Sequence, residues 1–171
     1  MPRLCGMDPM NPLEAFFEEH SAWMEVALEA ARRAMARGEV PVGAVLVRPD
    51  GRFYVDANAM EASRSALEHA ELRVLRRALR STPNRWLSET TLYVTLEPCP
   101  MCAGAILLAR IPLVVVATPD PRSGACGTVV SVLGNVVFNH RPVLVWGVRE
   151  AEARQLLQDF FRRQRAAGTA R

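Results

Sequence analysis

Leu113-Val114-Val115-Val116-Ala117 is an unbroken apolar run, and no other stretch constrains the fold as strongly. A strand with one face in water alternates apolar and polar residues. A run of strand length without alternation marks a sheet covered on both faces. The segments around it have helical periodicity, so helices supply the cover, and the class is a three-layer α/β domain.

Those segments can be followed along the chain. From Leu13 to Arg37 the pattern is helical, with Trp23, Ala27, Leu28, Ala31 and Met35 on one face and Glu18, Glu19, Glu29, Arg32 and Arg33 on the others. Gly38 ends it. Val42 to Val47 reads as a buried strand, Pro49-Asp50-Gly51 as a turn, and Arg52 to Ala57 as a returning strand. A helix is predicted from about His69 to Arg80, a strand over Thr91 to Thr95, and a helix from near Pro98 to Arg110. After the apolar run come a Pro/Gly-rich loop from Thr118 to Gly127 and a strand at Val143 to Trp146. The last helix runs from Glu150 to about Arg165, with Leu156, Leu157, Phe160 and Phe161 on one side. A chain of 171 residues fits one domain. That domain is expected over 13–171, after a flexible tail at 1–12 that carries proline breaks.

Composition narrows the compartment. Four cysteines (Cys5, Cys99, Cys102, Cys126) are too few and too unevenly placed for a secreted disulfide framework. The start, Met1 to Gly6, has no apolar core of a signal peptide, and no run is long enough to span a membrane. Reduced cysteines in a cytoplasmic protein are expected, with Cys5 an idle thiol. All 21 basic residues are arginine and the net charge is +3. A GC-rich coding bias explains this, and a phosphate-bearing partner would suit it equally.

Two short motifs carry chemistry. His69-Ala70-Glu71 opens one predicted helix, and Pro98-Cys99-Pro100-Met101-Cys102 opens another, 30 residues beyond the histidine. Proline suits a first helical turn. Cysteines three apart share a face, and the positive end of the helix favours their thiolates. One nitrogen and two sulfurs make three ligands, the number a catalytic zinc takes while leaving its fourth place open. Glu71, two residues beyond the histidine, can lie beside that place without ligating and move protons there. Cys99 and Cys102 alone also fit a redox pair. His69, Cys99, Cys102 and Cys126 together also fit a closed structural zinc, although Glu71 then has no task. His20 lies in a charged stretch and is expected at the surface.

With these residues in view, the chain resembles the bacterial tRNA wobble adenosine deaminases, which share the cytidine deaminase-like fold. His-x-Glu with Pro-Cys-x-x-Cys is the signature of zinc-dependent nucleobase deaminases in general. The resemblance runs from about Ser21 to Arg165 and adds Glu39 to Leu46, Asn58, Thr91 to Ala105, Ala109-Arg110-Ile111 and Asp120 to Gly124. Phe138-Asn139-His140-Arg141 and Asp159-Phe160-Phe161-Arg162 point to the tRNA enzymes. The resemblance implies a five-stranded mixed sheet between helices, one zinc per chain, a homodimer, and hydrolysis of a wobble adenosine to inosine in a tRNA anticodon stem-loop. It implies that Asn58 contacts the flipped nucleotide, that the Ala70 N–H sits against its ring, and that Asp120 lies near its sugar. Phe160 and Arg162 would meet flanking nucleotides by stacking and phosphate pairing, while ordinary core packing is the alternative for Phe160 and Phe161.

The chain departs from the family just before the histidine. Ser65-Ala66-Leu67-Glu68 stands where Asp-Pro-Thr-Ala is usual, which removes a proline and puts a carboxylate beside the first ligand. Two other functions therefore stay in play: deamination of a free guanine or cytosine compound, and a non-catalytic zinc module that binds RNA.

Overall fold

The computed structural model describes residues 11–168. The tail expected at 1–12 and the idle thiol expected at Cys5 lie outside them, except that Asn11 and Pro12 begin the first helix. There the Asn11 Oδ1 accepts the Leu13 N–H at 3.0 Å, and the Glu14 carboxylate accepts the Asn11 N–H at 3.2 Å. Two otherwise orphaned donors are thereby satisfied at the start of α1 (Pro12–Ala36).

The strands β1 (Gly43–Val47), β2 (Phe53–Ala57), β3 (Thr91–Leu96), β4 (Leu113–Thr118) and β5 (Val143–Trp146) form one sheet in the order β2-β1-β3-β4-β5. β1 runs antiparallel to both β2 and β3, and β3, β4 and β5 run parallel. The mixed sheet is the expected one. Its two faces follow from the period of two. Val45, Tyr93, Val115 and Ala117 pack with Met24, Ala27 and Leu28 of α1 and Ala153 of α5 (Glu150–Ala166). Their neighbours Ala44, Leu46, Leu92, Val94, Val114 and Val116 pack on the other face with α3 (Ala70–Arg80) and α4 (Pro100–Leu108). Val114 to Ala117 are all fully buried, as a strand covered on both sides must be. β1 approaches α1 so closely that a Cβ on Gly43 would lie 2.0 Å from the Ala27 carbonyl oxygen, so only glycine fits there.

Three expectations need correction. Helices α3 and α4 start later than expected, with His69 and Cys99 as extended N-cap residues rather than members. For Cys99 the reason is Pro100, whose ring disfavours helical backbone in the residue before it. A short helix α2 (Met60–Ser63) was not expected, and no periodic pattern of four residues could announce it. Finally, His20 is not at the surface. It is 5% exposed, with Nδ1 2.8 Å from the Tyr93 hydroxyl. His20, Met24, Ala27, Leu28 and Ala31 form one stripe, so the buried face of α1 starts a turn upstream of Trp23, where the sequence pattern places its beginning.

Burial holds the His20 imidazole below its ordinary pKa of 6.5, against the pull of Glu19. The folded chain therefore binds this proton less tightly than the unfolded one. Stability is full above 6.5 and is lost as pH falls below it toward the lowered folded value. His20→Gln should flatten the fall in the urea midpoint between about pH 8 and about pH 5, relative to the parent. Equal pH dependence of the two proteins would contradict this placement.

Candidate metal centre and nucleotide cleft

The N-termini of α3 and α4 converge, and this brings the two motifs together. His69 Nδ1 lies 3.6 Å from Cys99 Sγ and 3.5 Å from Cys102 Sγ, and all three donor atoms fall within 4.8 Å of one another. The spacing can be compared with what zinc requires. Bonds of about 2.05 Å to nitrogen and 2.3 Å to sulfur at a tetrahedral angle separate the two by about 3.6 Å. The donor set fits in kind and in distance, and the chain's own folding creates it. Cys126 is not part of this group, and burial raises its thiol well above the ordinary range, with the Glu97 and Glu71 carboxylates adding to the effect. A four-ligand closed site finds no support in this arrangement.

The ligands are electrostatically prepared. The hydrogen bond from Cys102, and then that from His69, hold Cys99 down to about 4, so this sulfur is a thiolate. Cys102 is pushed upward by its bond to Cys99 and by burial, and a divalent cation bound there would displace that proton. Glu71 occupies the first turn of α3, only 3% exposed and in reach of Cys102. Burial raises its carboxyl to about 7 against the opposing pull of its own backbone and His69. A carboxyl poised there takes and releases protons near neutrality.

The neighbouring expectations fall out unevenly. Asn58 is buried at the end of β2, and its Oδ1 accepts the Ala70 N–H at 2.9 Å. The Ala70 N–H expected against a substrate ring is thus already used, because α3 has no capping side chain of its own and Asn58 fills that need. Glu68, the unusual residue before His69, turns away from the centre. It pairs with Arg73 at 2.9 Å and Arg76 at 2.5 Å, and the Arg76 bond holds its carboxyl below the usual range.

Two buried carboxylates shape the surroundings without any announcement in the motifs. Glu97, next to Pro98 and Cys99, accepts the Cys126 N–H at 2.8 Å and the Thr128 N–H at 3.2 Å on Oε1, and the Asp120 N–H at 2.9 Å on Oε2. It thereby ties the loop after β4 to the ligand turn. Gly124 permits this, since a Cβ there would lie 2.2 Å from Glu97 Oε2. Glu39 accepts the Glu61 and Ala62 N–H groups and fixes the start of α2. The available signal was a carboxylate within an otherwise apolar stretch, as in Leu96-Glu97-Pro98.

Asp120 lines a cavity of about 770 Å³ together with Arg122, Arg154, Phe161, Arg162 and Arg165. A second cavity of about 670 Å³ shares Arg122, Phe161 and Arg165. Neither is lined by the metal ligands; they flank the loop that Glu97 holds. Phe161 is 37% exposed with the Arg122 guanidinium 5.8 Å above its ring, whereas Phe160 is 7% exposed. Phe161 thus exposes the larger aromatic surface, while Phe160 is mostly buried and reaches the wall of the second cavity only. Arg162 is exposed and pairs with Asp159 at 3.5 Å. In the Phe138-Asn139-His140-Arg141 segment, His140 Nε2 lies 2.7 Å from the Ile111 carbonyl, which anchors a loop whose Phe138 stays exposed.

The chain belongs to the cytidine and deoxycytidylate deaminases: residues 17–118 match the zinc-binding region of that family. Within it, the chain is 42% identical over 144 residues to the tRNA-specific adenosine deaminase of Bacillus subtilis (strain 168), covering 84% of this chain and 89% of that one. It is 40% identical over 148 residues to the enzyme of the same name from Agrobacterium fabrum (strain C58 / ATCC 33970), covering 86% and 97%. A solved structure from studies of A-to-I editing by tRNA:A34 deaminases superposes with a TM-score of 0.76 at 39% identity, covering 80% of this chain and 99% of that one.

Proposed function

We propose that this chain is a zinc-dependent deaminase that hydrolyses the wobble adenosine of a tRNA anticodon to inosine. The observation that carries the reading is the convergence of His69, Cys99 and Cys102 around a buried Glu71, in a chain similar along most of its length to tRNA-specific adenosine deaminases. His69, Cys99 and Cys102 would hold zinc, which would supply a Lewis acid able to activate a water near neutral pH. Glu71 would accept one proton of a water and deliver it to the adenine ring nitrogen, then take the second proton from the newly attached hydroxyl and give it to the amine, which leaves as ammonia. Carbon–oxygen bond formation at the amino-bearing carbon and loss of ammonia balance the reaction. Asn58, with its Oδ1 engaged by Ala70, presents its Nδ2 donors to the flipped base. Ala70 serves by holding that carboxamide. Asp120 stands near the sugar, Phe161 stacks on a flanking base with Phe160 packed behind it, and Arg162 meets a phosphate.

The domain spans 13–171, and the protein acts as a homodimer, for which Leu108, Val136 and Val137, each more than three-quarters exposed, offer apolar surface. None of the described helices is long and apolar enough to cross a membrane, and a cytoplasmic site of action follows from the proposed substrate.

The test compares an anticodon stem-loop with free adenosine and free guanine, for the intact protein and for one ending at Phe160. Three phosphate contacts to single-stranded RNA would weaken binding about 20-fold between 50 and 200 mM salt. The truncated protein should show a raised KM for the stem-loop and a smaller salt dependence, with little change in kcat. Efficient turnover of free guanine, indifferent to salt and truncation, would replace this reading with a small-molecule deaminase.

A further inference from the structure

On the outer face of α3, Arg73, Arg76, Arg77 and Arg80 follow one another at the spacing of a single helical stripe. The one acidic residue of this helix, Glu71, is buried, so the exposed face has no carboxylate of its own. The other long helices are built differently. On α1, Glu25 and Glu29 balance Arg32 and Arg33; on α5, Glu150 pairs with Arg154 and Asp159 with Arg162. A face that only had to be solvated would be interleaved in the same way, because like charges three and four residues apart destabilise a helix.

Two carboxylates from outside the helix border the stripe. Asp56 holds Arg73 at 2.9 Å and Arg77 at 3.4 Å, and Glu68 holds Arg73 and Arg76. Arg80 pairs with no carboxylate among the described residues. Four cations against two anions leave an excess of two positive charges around a shallow cavity of about 230 Å³ lined by these six side chains. Asp56 and Glu68 hold the guanidinium forks of Arg73, Arg76 and Arg77 in place, and a planar fork suits phosphate oxygens.

We infer that this stripe is a second RNA contact, which takes backbone phosphates of the substrate outside the loop that enters the metal centre. The inference rests on the proposed tRNA substrate and concerns a different part of it. Glu68 immediately precedes His69, so the stripe begins beside the centre, and its arginines extend about 10 Å along the helix axis. It lies across the sheet from α5, whose Phe161 and Arg162 line the cleft for the loop nucleotides. An RNA seated over the end of the sheet, with one base in the centre, has loop nucleotides on the α5 side and its paired stem free to reach α3.

The test is the double variant Arg76→Gln/Arg80→Gln, which leaves Arg73 to hold both Asp56 and Glu68. Arg33→Gln/Arg37→Gln on α1 removes the same charge elsewhere as a control. Binding is measured across a salt series for full-length tRNA and for a single-stranded anticodon-loop oligonucleotide. The α3 variant should bind tRNA several-fold more weakly, its slope of log K against log salt should fall by about 1.4 to 1.8, and kcat at saturation should be unchanged. The oligonucleotide should bind as before, and the α1 control should behave as the parent protein. Unchanged tRNA affinity and slope, an equal loss in the α1 control, or an equal loss on the oligonucleotide each overturn the inference. A parent protein that neither binds nor deaminates tRNA overturns the substrate reading, and the inference with it.

Discussion

The Glu71→Ala protein is expected to keep its zinc and its melting temperature within a few degrees while losing deamination by roughly 10⁴-fold or more. General acid–base catalysis by one positioned group supplies about 10² to 10⁴-fold, and Glu71 is asked to act at more than one proton transfer. The structure separates this role from ligation. Glu71 lies outside the donor group formed by His69, Cys99 and Cys102, so removing its carboxylate leaves all three ligands in place. It also removes a buried carboxyl whose ionised form is disfavoured by burial, so the fold gives up little. Metal analysis and turnover on one preparation decide the matter. A metal-replete Glu71→Ala protein with near-normal turnover would remove the proton-transfer mechanism.

Loss of any ligand should have a second, different signature. His69→Ala, Cys99→Ala and Cys102→Ala should each fall from one zinc per chain to nearly none, lose activity to background and lose stability, because metal affinity is part of the folding free energy when the site forms only on folding. Cys126→Ala should keep the metal, since its sulfur is outside the donor group. Chelation of the parent protein should reproduce the ligand variants, and added zinc should reverse it. Zinc lost from Cys126→Ala would instead indicate a closed four-ligand site.

How much of this was legible in the sequence depends on range. The unbroken Leu113 to Ala117 run declared a doubly covered strand, because burial on both faces leaves no position for a polar side chain. The ligands were legible because their spacing encodes two helix starts, although only the fold brings His69 to within 3.6 Å of Cys99. Residues whose partners are remote in sequence are not legible from their local context. His20 sits among charged residues along the chain, yet its partner Tyr93 is 73 positions away. Glu97 looks out of place locally, and its meaning comes from three N–H groups in a loop more than twenty residues later. Phe160 and Phe161 are adjacent and chemically identical, so only packing could tell the buried ring from the exposed one.

The central claim is tested most directly by incubating the zinc-loaded protein with total tRNA and sequencing the products for adenosine-to-inosine changes. The expected result is conversion at the wobble position of tRNA that carries adenosine there, with no change at other adenosines and none with the Glu71→Ala protein. Unaltered tRNA, together with ammonia release from free guanine or a free cytosine compound, would contradict it.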